Sequence, residues 1–185
     1  MHGLIVNQLR QFVVTRLGKP AWESIAVRVG PPLESGPLSL DHVYDDAVVS
    51  GIVTAAVETS GIAAPDLLED FGSFLAPVLL RVYGSLVPPG WRTLDVIEHT
   101  EEHIHTVVRM RDENAGPPDL AAERLSPTEV LINYTSPRRL CKVAEGIARG
   151  MASHFGEQVD IRQSECMLRG DPRCLISVRL TASGS

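Results

Sequence analysis

Apolar side chains recur at intervals of three and four along most of the first 110 residues, the period of amphipathic helices. Leu4, Ile5, Leu9, Phe12, Val13 and Leu17 form one stripe that stops at Gly18, which predicts a first helix with a glycine end. A short second helix is expected over residues 21–27, then a Gly/Pro-rich loop over 30–37. The acidic stretch 41–46 reads as the start of a third helix. Residues 47–59, 65–86 and 93–110 continue the helical pattern. Gly61 separates the first two, Pro88, Pro89 and Gly90 the next, and Gly116, Pro117 and Pro118 close the series.

The period then changes. Residues 128–134 read as a strand, 137–155 as a helix, and 158–168 with 174–180 as a hairpin turning at Arg169, Gly170, Asp171 and Pro172. Cys174, Ile176, Val178 and Leu180 alternate, so the last strand buries one face. The expected fold class is α+β in a single domain over residues 1–185. A helical part, about residues 1–62, packs on a helix-plus-sheet part, about residues 63–182, with a small antiparallel sheet.

Composition narrows the function classes. With 44% hydrophobic and 22% charged residues the chain has the make-up of a globular protein. A net charge of -6 and no dense Lys/Arg run exclude a partner recognised through its phosphate backbone, so no nucleic acid is expected. No apolar stretch reaches the roughly 20 residues of a membrane span. Residues 1–10 lack the pattern of a secretory signal, and the expected location is cytoplasmic. Three cysteines there point to thiols, metal ligation or redox sensing rather than to structural disulfides.

Two constellations carry chemistry. At Tyr134, Thr135, Ser136, Pro137 and Arg138, serine followed by proline reads as a helix start. Two hydroxyls, a guanidinium and free helix amides would meet there, a ready place for a carboxylate or phosphate; the plainer alternative is a simple cap with a surface ion pair. Residues 93–110 hold three of the six histidines. On a wheel of about 100° per residue, Leu94, Ile97, Ile104 and Val108 share a stripe with His105 at its edge, while His99 and His103 point away. A histidine so placed is either a hydrogen-bonded core residue or a metal or haem ligand. His99, Glu102 and His103 also spell H-x-x-E-H, the pattern of a zinc hydrolase, without an evident third ligand further on.

Together these features resemble the haem nitric-oxide/oxygen-binding family, H-NOX. The helix histidine, Pro117 and Pro118, the Y-x-S-x-R triplet Tyr134, Ser136 and Arg138, the opening Met1, His2, Gly3, Leu4, Ile5 and Val6, and the segment L-G-K-P-A-W-E-S-I carry the likeness through essentially the whole chain. The resemblance implies haem b as cofactor, held by its propionates at Tyr134, Ser136 and Arg138 and by its iron at His105. Ile5 and Pro118 would take the places of the residues that distort the macrocycle. Val143 falls where oxygen-binding members carry a distal tyrosine, and Leu9 and Leu75 are apolar at other distal places. Nitric oxide is therefore the expected ligand, carbon monoxide a second, and dioxygen a poor one. The family's L-D-x-L-H run is interrupted here, which leaves His99 as the alternative iron ligand.

Some family members bind zinc with four cysteines. Cys141, Cys166 and Cys174 match three of those places and Gln163 the fourth, with His154 a candidate replacement. Buried thiols, and a redox switch between Cys166 and Cys174, are the other readings. The resemblance implies a stand-alone sensor, not an enzyme. Nitric oxide would weaken the iron–His105 bond, and the resulting shift would regulate a separate histidine kinase or cyclic-di-nucleotide enzyme. Arg109, Arg111, Asp112 and Glu113 are the expected partner contact. A thiol or zinc redox sensor built on Cys141, Cys166 and Cys174, and a zinc hydrolase at His99 and His103, are the alternatives.

Overall fold

The computed structural model describes residues 1–31, 33, 38–40, 42–112 and 116–181. Pro32, Glu34, Ser35, Gly36 and Pro37 of the expected loop, Asp41 of the acidic stretch, Glu113 of the expected contact surface and Ala182 at the expected domain end lie outside the described residues.

The helical patterns fold as read, with small changes at their ends. Helix α1 (Gly3–Leu17) is capped by His2, whose Nδ1 accepts the Leu4 amide at 3.2 Å, and ends at Gly18 with φ 91°. Helix α2 (Lys19–Val29) carries Pro20 in its first turn. In α3 (Asp46–Ser60) the cap is the Asp45 carboxylate, which accepts the Ala47 amide at 2.8 Å. Helix α4 (Ala64–Tyr83) runs into a 3-10 turn (Gly84–Leu86). Their apolar stripes meet in one core of Val6, Phe12, Trp22, Ile25, Ile52 and Phe71, where the Phe12 ring lies 5.6 Å from both Phe71 and Phe74.

The expected helix over 93–110 is not uniform. It comprises α5 (Thr93–Thr100), a π-turn (Glu101–His105) and α6 (Thr106–Arg111), with the Thr106 amide bonded to the Glu101 carbonyl five residues back. Such one-turn insertions re-aim side chains and are frequent at functional sites.

Four antiparallel strands follow in the order β1-β2-β4-β3: β1 (Asp119–Ser126), β2 (Glu129–Thr135), β3 (Gln158–Glu165) and β4 (Cys174–Thr181). β1 was not expected from the sequence. Helix α7 (Cys141–His154) packs its buried face on both the sheet and α4, and a second core of Val130, Ile132, Met151, Ile176 and Val178 forms beneath it. The α4–α7 crossing is close because Gly72, Gly146 and Gly150 present no side chains there.

The expected helix start at Ser136 and Pro137 is corrected. The chain turns there, with Arg139 in the left-handed region at φ 50°, and α7 begins only at Cys141. Two side chains take up the amides of this turn: the Leu140 amide donates to the Tyr134 hydroxyl at 3.2 Å and the Arg138 amide to Ser136 Oγ at 3.3 Å.

Candidate functional site

Between the helical core and the sheet lies a cavity of about 260 Å³. Every cofactor-binding residue expected from the sequence lines it: His105 from the π-turn, Tyr134 from β2, Ser136 and Arg138 from the turn after it, Ile5 and Leu9 from α1, Leu75 from α4, Val143 from α7, and Pro118. The remaining walls are mostly aliphatic and aromatic, including Phe71, Leu79, Ile97, Ile104, Ile147 and Met151.

His105 is largely buried, and that burial pulls its imidazole below the ordinary value even though Glu101 pulls the other way. Its Nδ1 lies 2.9 Å from Glu101 Oε2. The same carboxylate accepts Arg109 at 2.7 Å on Oε1 and the Leu120 amide at 3.2 Å on Oε2. Burial pushes the Glu101 carboxyl up, but these donors prevail and hold it below its usual value. Of the expected contact surface, Arg109 is partly exposed and shared between Glu101 and Asp119, Asp112 lies 3.8 Å from His2 Nε2, and Arg111 is exposed at the end of α6.

On the motif side, burial raises the Tyr134 hydroxyl above its ordinary value, so it is a neutral donor across the physiological range. Arg138 reaches across the molecule: its Nε donates to Asp46 Oδ1 at 2.8 Å and its Nη1 to the Gly116 carbonyl. Asp46 also takes the Met1 amino group at 3.0 Å. In the sequence Asp46 marks only a helix start. Its link to Arg138 spans 92 positions and leaves no local signal.

His99 and His103 lie elsewhere. His99 stacks on Trp91 and His103 meets it edge-on, with ring centroids at 4.7 and 5.0 Å, and with Glu102 they form a half-exposed to exposed group whose ligand atoms come within 4.8 Å of one another. Among the described residues no later helix adds a ligand to it. Cys141, Cys166 and Cys174 are all buried, with Sγ atoms within 4.8 Å of one another and Cys141 to Cys166 at 3.8 Å. Gln163 lies close to the Cys141 thiol, and its Nε2 is buried without a hydrogen-bond partner. His154, the candidate replacement, is exposed at the end of α7 against Phe155 and does not join the thiols.

The sequence matches the Haem-NO-binding family over residues 2–163. The chain belongs to that family. Solved H-NOX structures share its α+β fold along nearly the entire length. The S. oneidensis H-NOX protein in its Fe(II)NO state is 25% identical with a TM-score of 0.90, covering 98% of this chain and 100% of that one. The Shewanella oneidensis domain in its Fe(II)CO state is 24% identical with a TM-score of 0.87, covering 99% and 100%. The unliganded Fe(II) H-NOX protein of K. algicida is 17% identical with a TM-score of 0.88, covering 100% and 99%. Among curated proteins no sequence matches. The H-NOX family is a family of haem sensors, and among the described residues no single helix of this member is long and apolar enough to cross a membrane.

Proposed function

We propose that this H-NOX chain is a ferrous-haem nitric-oxide sensor that regulates a separate signalling protein. The observation that carries the reading is that one apolar cavity takes His105 from the π-turn together with Tyr134, Ser136 and Arg138 from β2 and the turn after it. This donor set fits a haem: an imidazole kept neutral by burial for the iron, two hydroxyls and a guanidinium for the propionates, and hydrocarbon for the porphyrin faces. Bound haem would supply the iron at which a diatomic gas is captured.

The chain's own residues set the selectivity. Leu9, Leu75 and Val143 are buried in the cavity and offer no hydrogen bond, which disfavours dioxygen and leaves nitric oxide, with carbon monoxide second. Ile5 and Pro118 supply the bulk that the family resemblance assigns to distorting the macrocycle. His105 closes the π-turn, and α6 leads directly from it to Arg111 and Asp112, the surface proposed to meet a histidine kinase or a cyclic-di-nucleotide enzyme.

The test is the absorption spectrum of reduced protein supplied with haem. A haem band that moves with nitric oxide and stays put in air is expected. Protein that takes up no haem, or a His105→Gly variant that keeps a histidine-ligated one, overturns the reading. A second reading, a thiol redox or zinc sensor, rests on the mutual approach of Cys141, Cys166 and Cys174. Zinc content and thiol titration of the purified protein test it.

A further inference from the structure

Glu101 stands one turn before His105, and its carboxylate meets the imidazole edge that faces away from Nε2. The Oε2 to Nδ1 distance of 2.9 Å is that of a good hydrogen bond. Nδ1 bonded to a carboxylate carries the proton, which leaves the lone pair on Nε2; the Pro118 carbonyl is a further acceptor beside the ring. Two further contacts fix the carboxylate itself, Arg109 on Oε1 and the Leu120 amide on Oε2, and the main chain that carries it is folded into the π-turn. Thr106 secures that turn by donating its hydroxyl to the Glu101 carbonyl at 3.0 Å. Had the segment continued as an ordinary helix, the Glu101 carbonyl would have bonded the His105 amide rather than that of Thr106.

We propose that Glu101 is the positioning residue for His105, fixing the ring's tautomer and orientation and making Nε2 a stronger donor to the haem iron than a histidine bonded to a neutral acceptor would be. The inference rests on the haem reading above. The carboxylate draws the Nδ1 proton toward itself and so shifts electron density toward Nε2, the effect that outer carboxylates exert on metal-bound histidines. Arg109 opposes it by sharing the same carboxylate, so Glu101 and Arg109 set the donor strength jointly. In a sensor whose signal depends on loosening the histidine, this pair determines how readily that happens.

The iron–histidine stretching vibration and the reduction potential of haem-loaded protein test the inference. Glu101→Gln keeps a neutral acceptor of the same length; it is expected to lower the stretching frequency and raise the potential at unchanged haem content. Arg109→Gln frees the carboxylate and is expected to move both quantities the opposite way, which a merely structural role would not produce. A stretching frequency that stays at the wild-type value in either variant, with haem bound through His105, overturns the inference alone. Wild-type protein without haem, or with a stretching band that survives His105→Gly, overturns the inference together with the haem reading.

Discussion

Gly72 of α4 and Gly146 of α7 meet backbone against backbone: a carbon added at Gly146 would fall 2.0 Å from the Glu69 carbonyl oxygen and 2.9 Å from the Gly72 Cα. No side chain can yield there, because the obstacle is main chain. Gly146→Ala gains about 0.5–1 kcal/mol of helix propensity. Yet it forces apart the helices that join the two cores, an overpacking cost of about 1–3 kcal/mol or more. Net destabilisation in denaturant melts is expected. Gly84→Ala is the contrast, since nothing lies within 4 Å and φ is -58°. It is expected to be neutral or to stabilise by up to about 1 kcal/mol.

Arg138 is the one cation of the Y-x-S-x-R turn that lines the cavity. A charge-assisted hydrogen bond contributes about 1.5–3 kcal/mol. Arg138→Met is therefore expected to weaken haem binding by about 10- to 100-fold, at about 1.4 kcal/mol per tenfold. Asp46→Asn removes only a half-exposed partner and is expected to change it little. Haem transfer to an acceptor protein measures both. Equal losses in the two variants would contradict the assignment.

Acid should unfold the protein through the anchors of α5. Asp95 accepts the Arg92 amide at 2.9 Å and the Arg124 guanidinium at 2.8 Å, and Glu157 accepts Arg92 Nε at 2.7 Å and the Thr93 amide at 3.2 Å. Burial pushes both carboxyls up, but these donors outweigh it and keep them below the ordinary 3.8 and 4.5. The unfolded chain takes up protons first as pH falls. The stabilisation is thus whole above the ordinary values and is lost as pH drops through the lowered ones. Melting temperatures should fall on that acid side, less steeply in the Asp95→Asn, Glu157→Gln double variant. An unchanged slope in that variant would count against these anchors.

The three thiols should react in order. Burial pushes Cys141 up to about 12 and also raises Cys174. Cys166 is buried too, but the Leu168 and Arg169 amides and the neighbouring sulfurs bring it below its ordinary value. The thiolate is the nucleophile, so limited alkylation should label Cys166 first. Peptide mass spectrometry reads the order, and early labelling of Cys141 would refute it.

Much of the fold was legible because long apolar stripes dominate it, and His105 was legible because it borders such a stripe. β1 was not. Its residues, Asp119 to Ser126, alternate only between exposed and half-buried, and Ala, Glu and Arg give little strand preference at the sheet's edge. The π-turn left no trace because none of Glu101 to His105 is fully buried, so the apolar period runs past it undisturbed. Ser136 and Pro137 obeyed helix-start grammar, but the Tyr134 hydroxyl holds the Leu140 amide and Arg139 reverses the backbone, which delays the helix. The residues that line the cavity were named by local chemistry and by the family resemblance. Their distant partners, such as Asp46 beside Arg138, were set by tertiary folding.

The carboxylate beside the histidine also grips the outermost strand, for the Leu120 amide that it accepts belongs to the β1 residue registered opposite Tyr134. The imidazole and the phenol are thereby wired into one mechanical loop through the sheet. A displacement of the ring is therefore expected to change amide exchange at Leu120.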